Sequence, residues 1–384
     1  MSSRVFEEAL SEPLTRSFPE IFPQEIIIEI FKNLNLKELI KKEIVCKSFL
    51  HIIRTTKWEQ FIVELHDIKT IKHVVNKYKF AKYNFSSSEI TDDIVKQLTD
   101  CHTLNLSYCF NITDDSIKML GKCHTLNLSA CKITDESVKL LGNCHTLNLS
   151  NCYDITDDGV KILGNCHTLN FTYCKKITND SVKMLGNCHT LRLCCCKQIT
   201  DDSVKMLGKC HTLDLSHCKK VTDDSVKLLG KCNTLNFTFC KKITDESIKM
   251  LGNCHILNFT YCYLVTDNGV KMLGNCHTLN LSHCDKITDD SVKMLEKCHT
   301  LNLSHCEKIT DESVKMLGNC HTLDFSFCPN ITIDSVETLK KCSMINLTYC
   351  SKITDTDVEM LNKYTHLKLL HQNNDNVDIL NEYT

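Results

Sequence analysis

Residues Cys298–Asn319 read CHTLNLSHCEKITDESVKMLGN. The pattern returns with its first cysteine at Cys101, Cys123, Cys144, Cys166, Cys188, Cys210, Cys232, Cys254, Cys276, Cys298, Cys320 and Cys342. That makes twelve copies over 101–363, the second one residue short. A length of 384 residues would ordinarily imply two or three domains. A fixed period removes that inference, because stacked repeats grow by adding units rather than by enlarging one core.

The unit can be read position by position. Leu301 and Leu303 alternate with Thr300, Asn302 and Ser304, which predicts a short strand with one buried face. Phenylalanine replaces the second leucine at Phe171, Phe237, Phe259 and Phe325. Ile309 leads into Thr310-Asp311, a helix-start signal. Asp311 and Glu312 sit where the helix dipole favours acids, and Val314 and Leu317 are the inward contacts. Gly318 suits a helix end with positive φ; Glu296, Lys340 and Asn362 replace it in other copies. The unit is therefore strand, loop, helix, turn. Strands spaced ~4.8 Å predict a parallel sheet roughly 65 Å long, bent, with helices outside and a concave inner face.

Positions 3, 5 and 7 point onto that face and are nearly uniform. The departures are Arg192, Asp214 and Asp324, with Cys194, Ile256 and Met344. Position 8 varies most: Tyr108, Ala130, Asn151, Tyr173, Cys195, His217, Phe239, Tyr261, His283, His305, Phe327 and Tyr349. The next two positions after the second cysteine are often lysine. Aromatics and histidines above a small polar sheet predict a protein-binding surface, since aromatic residues anchor interfaces. The alternative is that position 8 packs along its own ladder.

Net charge is −2 and the isoelectric point is near 6.8, so no nucleic-acid or anionic-membrane partner is called for. No run of ~18 apolar residues predicts a membrane span, and the first residues, MSSRVFEEALSEPLTRSFPE, do not read as a leader. There are 27 cysteines, an odd number, mostly at core positions of the repeat. Asn105-Leu106-Ser107 and Asn280-Leu281-Ser282 would be glycan acceptors on packed strands in a secreted chain. Both features predict an intracellular protein with reduced thiols, cytoplasmic or nuclear. The recurring Cys-His pairs invite a zinc reading, but they form a one-dimensional ladder without paired C-x-x-C, so no metal or other cofactor is expected. Cys194 and Cys195 stand beside the ladder Cys196 and are either oxidisable thiols or drift. No nucleophile elbow, P-loop or dinucleotide loop appears, and the chain is not read as an enzyme.

Ahead of the repeats, residues 22–65 read FPQEIIIEIFKNLNLKELIKKEIVCKSFLHIIRTTKWEQFIVEL. Ile26, Ile27, Ile30, Phe31 and Leu34 form one helical stripe, opened by Pro23 at the first helical position. Leu36, Leu39 and Ile40 mark a second helix, and Ile44, Val45, Phe49, Ile52 and Ile53 a third. Alone, this block buries little.

The block resembles the F-box. The matching residues are Phe22, Pro23, Glu25, Ile26, Ile30, Phe31, Leu34, Leu36, Leu39, Val45, Cys46, Lys47, Phe49 and Trp58. Phe22, Phe49 and Lys57 depart from the family's pattern. The repeat, through Cys298, Leu301, Leu303, Cys306 and the following Ile-Thr-Asp, resembles the cysteine-containing leucine-rich repeats. The expected fold class is α/β: a leucine-rich-repeat solenoid with a small all-α F-box-like block in front.

The expected divisions are a loose terminus at 1–16, the F-box-like block at 17–61, repeats at 62–370 and a tail at 371–384. Phe61–Leu65 and Ile68–Tyr78 read as a degenerate first unit, and Tyr364–Leu369 as a last strand. Lys-, Asn- and Ile-rich usage points to an A+T-rich genome, such as that of a large DNA virus of protists or a protist.

The resemblance implies a substrate-recognition subunit of a Skp–cullin–F-box ubiquitin ligase, non-catalytic itself. Pro23, Ile26, Ile30, Phe31, Leu34, Leu36, Leu39, Val45, Phe49 and Trp58 would dock on the Skp-type adaptor, and through it a cullin–RING ligase. The repeats would hold a protein target through Tyr108, Tyr173, Arg192, Asp214, His217, Phe239, Tyr261, His283, His305, Asp324, Phe327 and Tyr349. The alternative is a repeat scaffold, or a decoy that occupies the adaptor without recruiting a target.

Overall fold

The computed structural model describes residues 22–339, 342–364 and 368–370. The expected terminus at 1–16 and the tail at 371–384 lie outside the described residues. The chain packs as two compact units, Met1–Asn127 and Leu128–Thr384.

The first unit opens with the helical block: α1 (Gln24–Lys32), α2 (Leu36–Lys41), a 3₁₀ turn (Lys42–Ile44) and α3 (Lys47–Thr55). Pro23 is the N-cap of α1, one position before the place expected for it. Asn35 and Glu38 form a reciprocal capping box that starts α2. Cys46 caps α3, its sulfur accepting the Phe49 amide at 3.5 Å. Strand β1 (Lys57–Glu64) begins before the expected boundary at 61/62, so that boundary falls inside a strand. Helix α4 (Ile68–Lys77) and strands β2 (Lys79–Asn84), β3 (Thr103–Asn105) and β4 (Thr125–Asn127) come next, all strands parallel. Glu43 ties the helical block to α4: it pairs with Arg54 of α3 at 3.1 Å and with Lys77 of α4 at 3.2 Å.

The second unit repeats the strand–loop–helix–turn unit expected from the sequence. Its strands are three residues long and pair parallel in strict register, Thr300 on Thr322 and Leu301 on Leu323. Its regular helices are single turns, such as Asp311–Val314, shorter than the sequence suggested. A last strand, Lys368–Leu370, pairs with Met344–Asn346. Cys298, Leu301, Leu303, Cys306, Ile309, Val314 and Leu317 are all fully buried, so every expected inward position of the reference unit is core. Each such leucine stabilises the fold by about 1.5–3 kcal/mol relative to exposure.

Two ladders join consecutive units. The second cysteine of most units donates its thiol hydrogen to the carbonyl just after the strand of the preceding unit, as Cys306 does to Leu281 at 3.3 Å and Cys240 to Leu215 at 3.1 Å. Each such carbonyl already accepts a backbone amide of its own unit, Leu281 from Cys284 at 3.1 Å and Leu215 from Cys218 at 3.0 Å, so the thiol fills its second acceptor site and links the two units. The residue opening most of the single-turn helices, usually aspartate, reaches forward. Asp289 accepts from the Thr310 amide at 2.9 Å, the Thr310 hydroxyl at 2.6 Å and the buried Ser313 hydroxyl at 2.6 Å. Sequence reading assigned this aspartate only to the dipole of its own helix.

The glycine after the helix departs from expectation. Among the described residues no glycine has positive φ. Gly186 lies at φ −64°, ψ −10°. Its Cβ would meet the Met206 carbonyl oxygen of the next unit at 2.5 Å. Close approach between units, and not backbone freedom, selects glycine there.

Candidate protein-interaction surfaces

In the helical block the ten expected adaptor-binding residues divide sharply. Phe31, Leu39, Phe49 and Trp58 are buried, 6% exposed at most. Phe31 meets Phe49 edge-on at 5.0 Å, and Trp58 donates its indole N–H to the Ile53 carbonyl at 2.9 Å. These four hold the block's own core, and Trp58 lies on β1 rather than on a helix. In this chain their side chains face inward, since short helices and the strand beside them gain their stability by packing their largest apolar side chains together. Ile30, Leu34 and Leu36 are half-buried, while Pro23 is exposed. Ile26 and Val45 are 46% and 59% exposed, and Ile44, which the expected set omitted, is 89% exposed. A shallow depression between α1 and α3 is lined by Gln24, Ile27, Lys47, Ser48, His51 and Ile52.

On the repeats, position 5 is not free for a ligand. Asn302 accepts the Ser304 amide at 2.8 Å and so turns the chain out of the strand. Asp214 and Asp324, expected in target binding, do the same work: each accepts the amide and the hydroxyl of the serine two residues on, Ser216 and Ser326. Asp324 is only 8% exposed, and burial pushes its carboxyl above the usual range. It is corrected to a structural residue. Arg192 cannot make this bond and is exposed.

Position 8 holds the largest surprise. Each of these residues, from Tyr108 to Tyr349, is left-handed, with φ between 57° and 64°. That conformation costs a non-glycine residue roughly 1–2 kcal/mol. It aims the amide at the next unit, where His217 donates to the Thr238 carbonyl at 2.7 Å and His305 to the Ser326 carbonyl at 2.9 Å. It also stacks the side chains. His217, Phe239, Tyr261, His283, His305, Phe327 and Tyr349 form one run with ring centroids 3.9–4.5 Å apart. The residues therefore pack along their own ladder. Their faces cover one another and their edges remain accessible; Tyr108, Tyr173, Phe327 and Tyr349 are exposed.

The Cys-His pairs point to opposite sides. The cysteines are buried, whereas the histidines are exposed and stacked, His145 to His211 at 4.4–4.5 Å and His255 to His321 at 4.4–4.6 Å. His299 Nδ1 lies 3.3 Å from the Thr300 hydroxyl. Burial, and then the neighbouring imidazoles, lower the His167, His277 and His299 pKa values. Among the described residues no group of three or more His, Cys, Asp or Glu is arranged to hold a metal ion. Burial pushes the ladder thiols up, Cys196 and Cys306 to about 12, far from a reactive thiolate. Cys194 is half-buried and Cys195 buried, with their sulfurs 3.7 Å apart.

Sequence reasoning missed one surface. Met184, Met206, Leu228, Met250, Met272, Met294 and Met316 are 51–57% exposed. Their recurrence two residues after the buried valine or isoleucine was a visible signal. No helix among the described residues is long and apolar enough to cross a membrane.

Comparison with known proteins agrees with this geometry. A leucine-rich-repeat family model matches residues 124–142, 211–230, 277–295 and 299–318. Comparison with curated protein sequences finds no match. Among solved structures, Rad7 from the yeast Rad7–Elc1 complex is similar with TM-score 0.51 at 15% identity, covering 77% of this chain and 87% of that one. The leucine-rich-repeat protein LIC12759 of Leptospira interrogans gives 0.51 at 16%, covering 82% and 89%. A chain of the TLR13–ssRNA13 complex gives 0.57 at 16%, covering 84% and 53%. The chain carries leucine-rich repeats and has the α/β leucine-rich-repeat fold, an architecture suited to binding proteins.

Proposed function

We propose that this protein is a substrate-recognition subunit of a Skp–cullin–F-box ubiquitin ligase, acting inside the cell. The observation that carries the reading is the bare apolar surface of the helical block. Its core is closed by Phe31, Phe49 and Trp58, yet Ile26, Ile44 and Val45 remain exposed. A block of this size gains nothing from exposed isoleucines unless a partner covers them. The F-box resemblance names that partner as a Skp-type adaptor. The repeats would hold a target protein, and the other ligase subunits would do the chemistry by proximity. Rad7, of similar fold, was solved in a complex with Elc1, a precedent for a repeat protein in a two-chain assembly.

The decoy reading keeps the adaptor contact and drops the target. It is favoured by the uniformity of the repeats, whose position-5 asparagines are engaged in strand-closing bonds such as that of Asn302. Pull-down with a Skp-type adaptor tests both readings, and failure to bind overturns both. If binding holds, removing the helical block and following the half-life of captured proteins separates them. Only a receptor shortens that half-life.

A further inference from the structure

The repeats are nearly identical, so a place where several consecutive units change together marks a surface with its own role. One such place is the loop after the second cysteine. In four successive units it reads Lys175-Lys176, Lys197-Gln198, Lys219-Lys220 and Lys241-Lys242, with no acid. In the other full units the same loop carries at most one lysine, and often an acid, as in Tyr153-Asp154, Asp285-Lys286 and Glu307-Lys308. All seven lysines of the strip are exposed.

These lysines differ from those on the helix side of the same units. There a lysine is commonly matched by an acid three residues earlier: Lys183 by Asp180 at 3.3 Å, Lys227 by Asp224 at 3.4 Å and Lys249 by Glu246 at 2.8 Å. In the strip Lys176 alone has such a partner, Asp154 at 2.8 Å. Lys175 and Lys241 lie over the rings of Tyr153 and Tyr263. Among the described residues, no carboxylate lies within 4.0 Å of Lys197, Lys219, Lys220 or Lys242. The loops step along the stack as their neighbours do, His217 to Phe239 at 4.5 Å. Like charges held at that spacing repel, and at Lys197, Lys219, Lys220 and Lys242 no carboxylate among the described residues relieves them. Arg192, exposed on the sheet side of the second of these units, adds a further positive charge.

We propose that this lysine strip is the docking site for an extended acidic segment of a partner protein. Three steps of ~4.8 Å span roughly 15 Å, which an extended strand at ~3.3 Å per residue covers with about five residues. A protein segment fits better than a nucleic acid. Single-stranded nucleic acid is held by a basic groove together with aromatic faces on which bases stack. Here two of the three position-8 rings beside the strip, His217 and Phe239, stack on one another, and Phe239 on Tyr261 of the next unit, so their faces are covered; Tyr173 alone of the three stands outside the stack. The proposal rests on the receptor reading only in identifying the partner as the ligase target; the strip's charge chemistry stands without it.

The test uses the full chain and a fluorescein-labelled peptide of about six glutamates, long enough to span the four loops. A lysine peptide and a single-stranded oligonucleotide of similar length serve as comparators. Fluorescence anisotropy is read at low and at physiological salt, and no adaptor is present. The glutamate peptide binds, the lysine peptide does not, and binding weakens with salt. Combining Lys197→Glu, Lys219→Glu, Lys220→Glu and Lys242→Glu weakens binding about tenfold or more, which is about 1.4 kcal/mol. Reversing Lys293 and Lys315 on the helix side leaves it unchanged. Absence of binding, or equal binding by the strip variant, overturns the proposal. Tighter binding of the oligonucleotide through the same lysines overturns the partner class. Peptide binding without adaptor binding sinks the ligase reading alone; adaptor binding without peptide binding sinks the strip alone.

Discussion

Gly186→Ala and Gly318→Ala are the same substitution at equivalent positions of two units, yet they have opposite expected effects. At Gly186 the backbone is ordinary right-handed helix, so alanine meets no conformational penalty. Its Cβ, however, would sit 2.5 Å from the Met206 carbonyl oxygen, a backbone atom of the next unit that cannot swing aside. The units must part slightly at their interface, and overpacking of this kind costs about 1–3 kcal/mol. At Gly318 the nearest atom among the described residues is the Thr338 carbonyl oxygen at 3.7 Å, ordinary contact. There alanine only narrows the unfolded ensemble and stabilises by about 0.4–1 kcal/mol. The pair should therefore differ by about 1.4–4 kcal/mol, with Gly186→Ala the less stable. Urea unfolding followed by circular dichroism checks this through the midpoints at unchanged slope. Equal shifts in the same direction would refute the claim that contact between units selects glycine at Gly186.

The ladders between units give three further expected outcomes. Asp289→Ala removes the acceptor of the Thr310 amide and hydroxyl and of buried Ser313, and should destabilise by about 2–4 kcal/mol in urea unfolding. Asp289→Asn should cost less than about 1 kcal/mol, because Asn179 already accepts the Thr200 amide and the Ser203 hydroxyl and donates its own amide to the Thr200 hydroxyl. Stability should fall with acid in two windows. Folding lowers the pKa of His167, His217, His277, His283, His299 and His305, so their contribution is complete above the unfolded histidine value near ~6.5 and declines as pH falls below it. Burial opposes ionisation of Asp157 and Asp311, but Ser and Thr hydrogen bonds outweigh it and hold them below the usual range; their contribution is lost at still lower pH, as pH drops through the folded value. A melting temperature flat between about pH 7.5 and about pH 5.5 contradicts the histidine part. A thiol reagent should label Cys46 and Cys194 in the native protein, since both are half-buried and the other cysteines are buried. Rapid reaction of many thiols without unfolding contradicts the buried ladder.

The repeat period and its buried positions were legible because they are properties of one unit: alternation makes the strand, and Thr-Asp starts the helix. What the sequence concealed lies between units. Nothing in Phe239 or Tyr261 announces positive φ; of the position-8 residues only Asn151 and the histidines His217, His283 and His305 belong to types enriched there. The conformation arises because the amide at that position must reach the next unit's carbonyl. The aspartate ladder and the glycine contacts have the same origin. In the helical block, Ile26 and Phe31 share one apolar stripe, but only packing decides that Phe31 is core and Ile26 surface. The residues matched to the F-box therefore mix the block's core with its surface. At Asp214 and Asp324 a charge that looked like a departure proved to be a substitute acceptor for asparagine.

The central claim is that the helical block is an adaptor-docking surface. The direct measurement is the affinity of a purified Skp-type adaptor for the full chain and for Ile44→Asp combined with Val45→Asp. Both side chains are exposed, at 89% and 59%, so the variant keeps the core of Phe31, Phe49 and Trp58 and should give an unchanged circular dichroism spectrum. Covering two such side chains is worth about 1.5–3 kcal/mol each, so their loss should weaken binding by roughly a hundredfold or more. Tight binding by the wild type, and loss of it in the folded variant, is the predicted result. No adaptor binding by the wild type, or equal binding by the variant, contradicts the account.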